Sequence, residues 1–311
     1  MGGSGGGGGG YIPPSSEVLQ KKIEKARQEE QLRLDADVNE LLQRQLTIYN
    51  DRDIEQTQAR LDKIADLLGD EMEVENFLFG GSVAKHTYVD GLSDIDALVV
   101  LDRSDTRGLS ADKVLNDFHE KLSTSLSRRD VTSIDKGKLA VTIRYKDNSE
   151  IQLLPAVRSG KLVKIPDSSG TGWNKTDPRI FQQKLTRQNE RLNGALVPTI
   201  KLVKSLISDL PKQQQLTGYH IEALALDAAK SYRGPMTPKA MLFHVLDHAA
   251  TRSRTPISDI SGQSRNVDGY LGKSNSAQRK LASQAIAGIK RRLDAATSVA
   301  QWKAMFRGIE K

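Results

Sequence analysis

Residues 79–101 read FGGSVAKHTYVDGLSDIDALVVL, which places a glycine pair, two spaced carboxylates and an apolar run within one short span. Gly80 and Gly81 let the backbone approach a phosphate closely and take angles that a side chain would forbid. Ser82 offers a hydroxyl where a helix could begin, so its amide and neighbouring amides can face an anionic triphosphate. Asp94 and Asp96 are separated by one residue, and on a strand such positions emerge from the same face. Two carboxylates side by side repel unless a cation sits between them, and hard oxygen ligands suit Mg²⁺. Two such ions about 4 Å apart can hold both the attacking and the leaving oxygen of an in-line phosphoryl transfer. An isolated Asp-x-Asp is usually a surface turn. Here it follows Gly-Gly-Ser by twelve residues and leads straight into an apolar strand, Ile95 to Leu101.

Before this segment, residues 16 to about 69 read as helix, with apolar positions such as Leu19, Ile23, Val38, Leu42, Leu61, Ile64 and Leu68 among dense Glu, Lys, Arg and Gln. A break is expected near Asn50-Asp51, and the helix is expected to lie along the rest of the molecule. After it come a helix near 111–127 and strand-like runs at 138–145 and 150–157, joined by the turn Lys146-Asp147-Asn148-Ser149. Residues 159–175 read as a Gly/Ser-containing loop. Thr176-Asp177-Pro178 then starts a helix, with Asp177 as N-cap and Pro178 in the first turn. The remainder reads as helices near 178–193, 198–209, 218–232, 238–250, 276–295 and 298–307. The expected division is a tag or linker at 1–14, the N-terminal helix with a small α/β lobe at 15–158, and a helical lobe at 159–311.

Composition sets bounds on function. The 311 residues are 37% hydrophobic and 27% charged, an ordinary globular balance long enough for two lobes sharing a cleft. With no cysteine, disulfides and thiolate zinc sites are excluded, which fits a reducing cytoplasm. Neither a membrane-spanning apolar run nor a signal peptide is evident, so the expectation is a soluble cytoplasmic protein without membrane contact. The net charge of +7 suits nucleotides or nucleic acid, though solubility alone also explains it.

The segment GGSVAKHTYVDGLSDIDALVVL resembles the signature of nucleotidyltransferases in the DNA polymerase beta superfamily, and its spacing is most similar to the bacterial cGAS/DncV-like enzymes (CD-NTases). Gly172-Trp173, Thr176-Asp177-Pro178, Pro198 through Lys204, His220-Ile221-Glu222 and Trp302 through Phe306 resemble the helical half of that family. The resemblance implies an α+β fold: a nucleotidyltransferase mixed-sheet lobe facing a helical lobe across a nucleotide cleft, with a long N-terminal helix. It implies Mg²⁺-dependent condensation of NTPs, ATP or GTP foremost, into cyclic di- or trinucleotide second messengers that activate an effector in anti-phage (CBASS) signalling. Asp94 and Asp96 would hold two Mg²⁺ ions, with Mn²⁺ as the alternative metal. Gly81, Ser82, Lys85 and Lys204 would contact the phosphates.

One position departs from the family pattern. The third carboxylate of the resembling run Asp-Val-Val-Pro-Ala is here Gln152, followed by Leu153-Leu154-Pro155-Ala156. An amide can offer an oxygen to a metal but cannot usefully accept a proton. Three readings stay open: Glu150, on the same strand face, substitutes; Gln152 is an inactivating replacement; or the natural protein works with two carboxylates or is degenerate. The function could accordingly be cyclic nucleotide synthesis, nucleotide sensing without turnover, or tailing of RNA ends.

Other candidates have plainer readings. Lys85, Lys201 and Lys204 could belong to solvated faces. Tyr219, Tyr232 and Trp173 could stack on a base, although packing is the commoner role. His244 and His248 are spaced for a metal but lack an acidic third ligand and read as ordinary helix residues. Lys290-Arg291-Arg292, with Arg252 and Arg254, lack interleaved aromatics, so direct nucleic-acid binding is not favoured.

Overall fold

The computed structural model describes residues 16–50, 54–69, 74–79, 85, 87, 89, 95–101, 108–126, 129–167, 172–262 and 264–306. Two helices open it, α1 (Ser16–Tyr49) and α2 (Ile54–Gly69), so the chain is interrupted where Asn50-Asp51 suggested. Next come β1 (Val74–Phe79), β2 (Ile95–Leu101), α3 (Ala111–Ser125), β3 (Val131–Lys136), β4 (Val141–Tyr145), β5 (Glu150–Ser159), β6 (Leu162–Pro166) and β7 (Trp173–Thr176). The helical half follows: α4 (Pro178–Arg191), α5 (Leu196–Ser208), α6 (Gly218–Ala229), α7 (Pro238–Arg252), α8 (Ala277–Asp294) and α9 (Val299–Lys303).

The strands form one mixed sheet in the order β1-β2-β5-β4-β3, with β6 joined to β5 and β7 to β6. β2 and β5 run parallel at its centre, and the other pairings are antiparallel. β5 is long because its two halves have different neighbours on one side: residues 150–153 pair with β4, and 157–159 with β6. Side chains alternate along the central strands, so the two faces carry separate apolar clusters. Ala97, Val99, Leu101, Ile151 and Leu153 pack with α2 and α3, where α3 contributes Val114, Leu115, Phe118 and Leu122 at helical spacing. Burying each of these large side chains stabilises the lobe by about 1.5–3 kcal/mol. Leu98, Val100, Leu154 and Ala156 occupy the opposite face with Val163 and Ile165.

The turn at 146–149 forms as its residues require. Asn148 takes the left-handed conformation at φ 64°, and Asp147 accepts hydrogen bonds from Ser149. Asp177 caps α4 by accepting from the Arg179 amide, with Pro178 following it.

Three strands depart from the sequence reading. β3 fell in a stretch without a strand expectation, and the expected loop 159–175 contains β6 and β7. Gly160, at φ 67°, supports the tight reversal that pairs Ser159 with Leu162. The lobe boundary expected after residue 158 therefore falls near the end of β5, and the sheet continues to Thr176.

The helical half has a core of its own, which includes Leu185, Ile200, Val203, Leu224, Leu242, Ile286, Trp302 and Phe306. Val38, Leu42 and Tyr49 of α1 join this core, so the second half of α1 is anchored on the helical lobe. Tyr49 Oη donates to Ser205 Oγ at 2.5 Å, Lys201 bonds Asn50, and Lys239 pairs with Asp35. The first half of α1 is not packed along the molecule, since Val18, Leu19, Ile23 and Leu32 are exposed. Among the described residues no helix is long and apolar enough to cross a membrane.

Candidate functional site

Gly81, Ser82 and Asp94 lie outside the described residues. Asp96 is placed by its backbone in β2, directly across the parallel pairing from Gln152 of β5. Gln152 is half-buried and belongs to the same alternate set as Leu154 and Ala156, while its antiparallel neighbour on the other side is Thr142. Register therefore brings together Asp96 and the position that departs from the family pattern, although 55 residues lie between them in sequence. Glu150 is engaged: Arg144 Nε donates to its Oε1 at 2.5 Å, and the same guanidinium pairs with Asp135. Among the described residues no group of three or more metal-ligating side chains is placed to hold an ion. Asp94 and the Asp96 side chain fall outside that statement.

The two lysines expected near phosphate converge on one carboxylate. Glu222 of α6 is 1% exposed and accepts from Lys204 Nζ at 2.8 Å, from Thr87 Oγ1 at 2.5 Å and from Lys85. Lys204 Nζ also donates to the Thr87 carbonyl at 2.9 Å. This cluster fastens the segment after the glycine pair onto two helices of the other lobe. Burial would by itself raise the Glu222 pKa, but the Lys85 and Lys204 ammoniums outweigh it and hold the carboxyl below its ordinary value. Lys85 Nζ further lies 5.0 Å from the ring centres of both Phe181 and Tyr219.

Tyr219 marks the edge of an inter-lobe cavity of about 460 Å³, whose walls include Pro166 and Asn174 from the sheet, Leu139 from the turn between β3 and β4, and Asp259 and Arg265 from the loop after α7. Its hydroxyl donates to Asp259 Oδ1 at 2.8 Å. Burial, with Asp259 adding to it, pushes the phenol pKa well above its ordinary value, so the group stays a donor. Asp259 is held low despite burial because Ser261, Tyr219 and Ser264 donate to it. The loop is tied to the sheet where Thr176 Oγ1 and the Asp177 amide donate to the Ser261 carbonyl at 3.2 and 3.1 Å.

The other aromatic and histidine candidates each have a partner within the protein. Tyr232 is buried and bonds the Pro235 carbonyl, and Trp173 Nε1 donates to the Leu109 carbonyl at 3.2 Å. His244 contacts the Ala228 carbonyl and His248 contacts Asp227, at 2.9 and 3.0 Å. In the sequence Glu222 stands out only as part of the His220-Ile221-Glu222 resemblance. A carboxylate inside the apolar run Ile221 to Ala229 was the available signal, because such a group is buried only when paired.

Comparison with known proteins extends this geometry. The family model described as Second Messenger Oligonucleotide or Dinucleotide Synthetase domain matches residues 33–189. A probable cyclic nucleotide synthase of Bacillus cereus strain VD146 is 33% identical over 63 residues, a match spanning 20% of this chain and only 18% of that protein. The CD-NTase CdnG of Bradyrhizobium diazoefficiens, solved in complex with GTP, shares the fold at a TM-score of 0.64 and 16% identity, over 89% of this chain and 96% of that one. CdnC of E. coli MS115-1, solved with ATP, does so at a TM-score of 0.60 and 16% identity, over 82% and 92%.

Proposed function

This chain belongs to the Second Messenger Oligonucleotide or Dinucleotide Synthetase domain family, and from that premise we propose that it condenses nucleoside triphosphates, ATP or GTP foremost, into a cyclic di- or trinucleotide. In each transfer the 3′-hydroxyl (or 2′-hydroxyl) oxygen bonds to an α-phosphorus, the bond to the pyrophosphate oxygen breaks, and the hydroxyl proton is released. The observation that carries the reading is the register of Asp96 against Gln152 in the two parallel central strands, in a sheet that Lys85 and Thr87 link to the helical lobe.

The donor set fits a hard divalent cation: two carboxylates with one residue between them and an amide oxygen on the neighbouring strand. Asp94 and Asp96 would hold Mg²⁺, or Mn²⁺ in its place. Bound there, the metal supplies charge stabilisation to the phosphoryl oxygens and lowers the pKa of the attacking hydroxyl. Gly81 and Ser82 would cradle phosphate with backbone amides, and Lys85 and Lys204 would add positive charge. Tyr219, at the cavity edge, offers a ring to a base. The product would activate an effector in anti-phage signalling.

The amide of Gln152 favours a second reading, nucleotide sensing without turnover. It offers no basic oxygen for the hydroxyl proton, and Glu150 is already paired with Arg144. Triphosphate binding would then survive better than chemistry.

One experiment separates the two. The protein and its Gln152→Asp variant are incubated with Mg²⁺ and labelled NTPs, and phosphatase-resistant product is resolved. Synthesis is expected to be stronger in the variant by about 10²-fold or more, the scale of a positioned base. Absence of product from both proteins sinks the synthase reading, and tight Mg²⁺-dependent GTP binding by calorimetry in that case establishes a sensor. Extension of added RNA instead would identify a tailing enzyme.

A further inference from the structure

Behind Phe181 lies a cavity of about 500 Å³ that the nucleotidyl-transfer reading does not use. Its volume is in the range of small-molecule sites. One wall is a single face of α4, where Phe181, Lys184 and Arg187 recur at three-residue intervals. The facing wall is the second half of α6, and the end of α7 with the segment from Ile257 to Val267 closes it.

The floor is apolar and nearly buried, with Phe181 at 4%, Leu226 at 7% and Ile257 at 8% exposed. The rim is cationic. Lys184, Arg187, Lys230 and Arg252 line it against one carboxylate, Asp227. That carboxylate is already neutralised: Lys230 approaches it at 2.8 Å, His248 at 3.0 Å and Arg252 at 3.3 Å. Despite burial, which alone would raise its pKa, Lys230 and His248 hold Asp227 below its ordinary value. Lys184 and Arg187 have no carboxylate within ion-pair distance among the described residues. Asp227 is therefore already partnered by three side chains, while Lys184 and Arg187 line the apolar hollow outside those pairs.

We propose that this cavity is a second ligand site, specific for a small molecule that joins a flat apolar body to two or more negative charges, carboxylate or phosphate. The apolar body would lie on Phe181, Leu226 and Ile257, and the charges would meet Lys184 and Arg187. The site is separate from the Tyr219 cavity but shares structure with it, because the Phe181 ring centre lies 4.8 Å from that of Tyr219. The inference does not depend on nucleotidyl transfer.

The test uses the full chain and the fluorescent probe 8-anilinonaphthalene-1-sulfonate, which pairs a flat apolar body with an anion. Wild type is expected to bind it saturably, and Lys184→Glu/Arg187→Glu to bind it about tenfold or more weakly, the effect of losing charge-assisted contacts. Both residues are solvent-accessible helix positions, and unchanged circular dichroism would show that the variant folds. Displacement by citrate would point to carboxylate ligands, and displacement by GTP without Mg²⁺, lost in the variant, to phosphate ligands. No saturable binding to wild type, or equal binding to both proteins, overturns the proposal.

Discussion

Replacing Glu222 by Gln tests the central contact between the lobes. The carboxylate is 1% exposed and receives Lys204 at 2.8 Å, Thr87 at 2.5 Å and Lys85. Glutamine retains one carbonyl oxygen for Lys204 and Thr87 but turns an NH₂ toward the Lys85 ammonium, donor against donor. It also removes the counter-charge that Lys85 and Lys204, both nearly buried, share in Glu222. Removing one partner of a buried ion pair costs about 3–5 kcal/mol, and the relief of burying one charge fewer moves the expectation to the lower end, about 3 kcal/mol. At roughly 2 °C per kcal/mol for a chain of this size, the melting temperature should fall by about 6 °C. Thermal and urea unfolding of wild type, Glu222→Gln, Lys204→Met and the double variant would measure this. The double variant should be less destabilised than the sum of the singles by about 2 kcal/mol, since the two changes remove one interaction. The pH profile adds a sign. The folded pKa of Glu222 is depressed below its ordinary 4.5, so its contribution is present above pH 4.5 and lost as the pH falls through and below that value. The variant should lack that increment of acid sensitivity. A Glu222→Gln protein within about 0.5 kcal/mol of wild type, or strictly additive variants, would refute the reasoning.

Two further outcomes follow from the loop after α7. Arg279 is fully buried and donates to Asp268 Oδ2 at 2.7 Å and to the carbonyls of Gly272, Ser253 and Asp268; Arg279→Met should cost about 3–5 kcal/mol in urea unfolding, because it strands Asp268. His220 is also fully buried beside Tyr270, and burial lowers its imidazole to about 4, opposed by Asp268; its contribution is whole above about 6.5 and lost as the pH falls toward 4, so His220→Gln should flatten the stability profile in that window.

Much of the sheet lobe was legible because its signals are local. β2 begins at Ile95 and ends at Leu101, as its apolar run required, and the 146–149 turn and the Asp177-Pro178 cap are fixed by the backbone preferences of their own residues. The helical half was likewise written in its 3.6-residue periodicity. β6 and β7 were not legible: β6 has an apolar run but is only five residues long and sits in a stretch rich in Gly and Ser, and β7 carries Asn174 and Lys175 in four residues, so both exist by pairing to β5 and to each other. The cue of Gly160 in a two-residue reversal was present but weak on its own.

The sequence by itself determined the family, the spacing of Asp94 and Asp96 and the substitution at Gln152, because each is a property of neighbouring residues. Only the tertiary structure decided that Gln152 stands across from Asp96, that Glu150 is occupied by Arg144, and that Lys85, Thr87 and Lys204 meet on Glu222. The partners of Glu222 from the glycine-pair segment are 135 and 137 residues away along the chain. Charge attraction depends on distance in space, and no local pattern encodes a distance that the packing of two lobes creates.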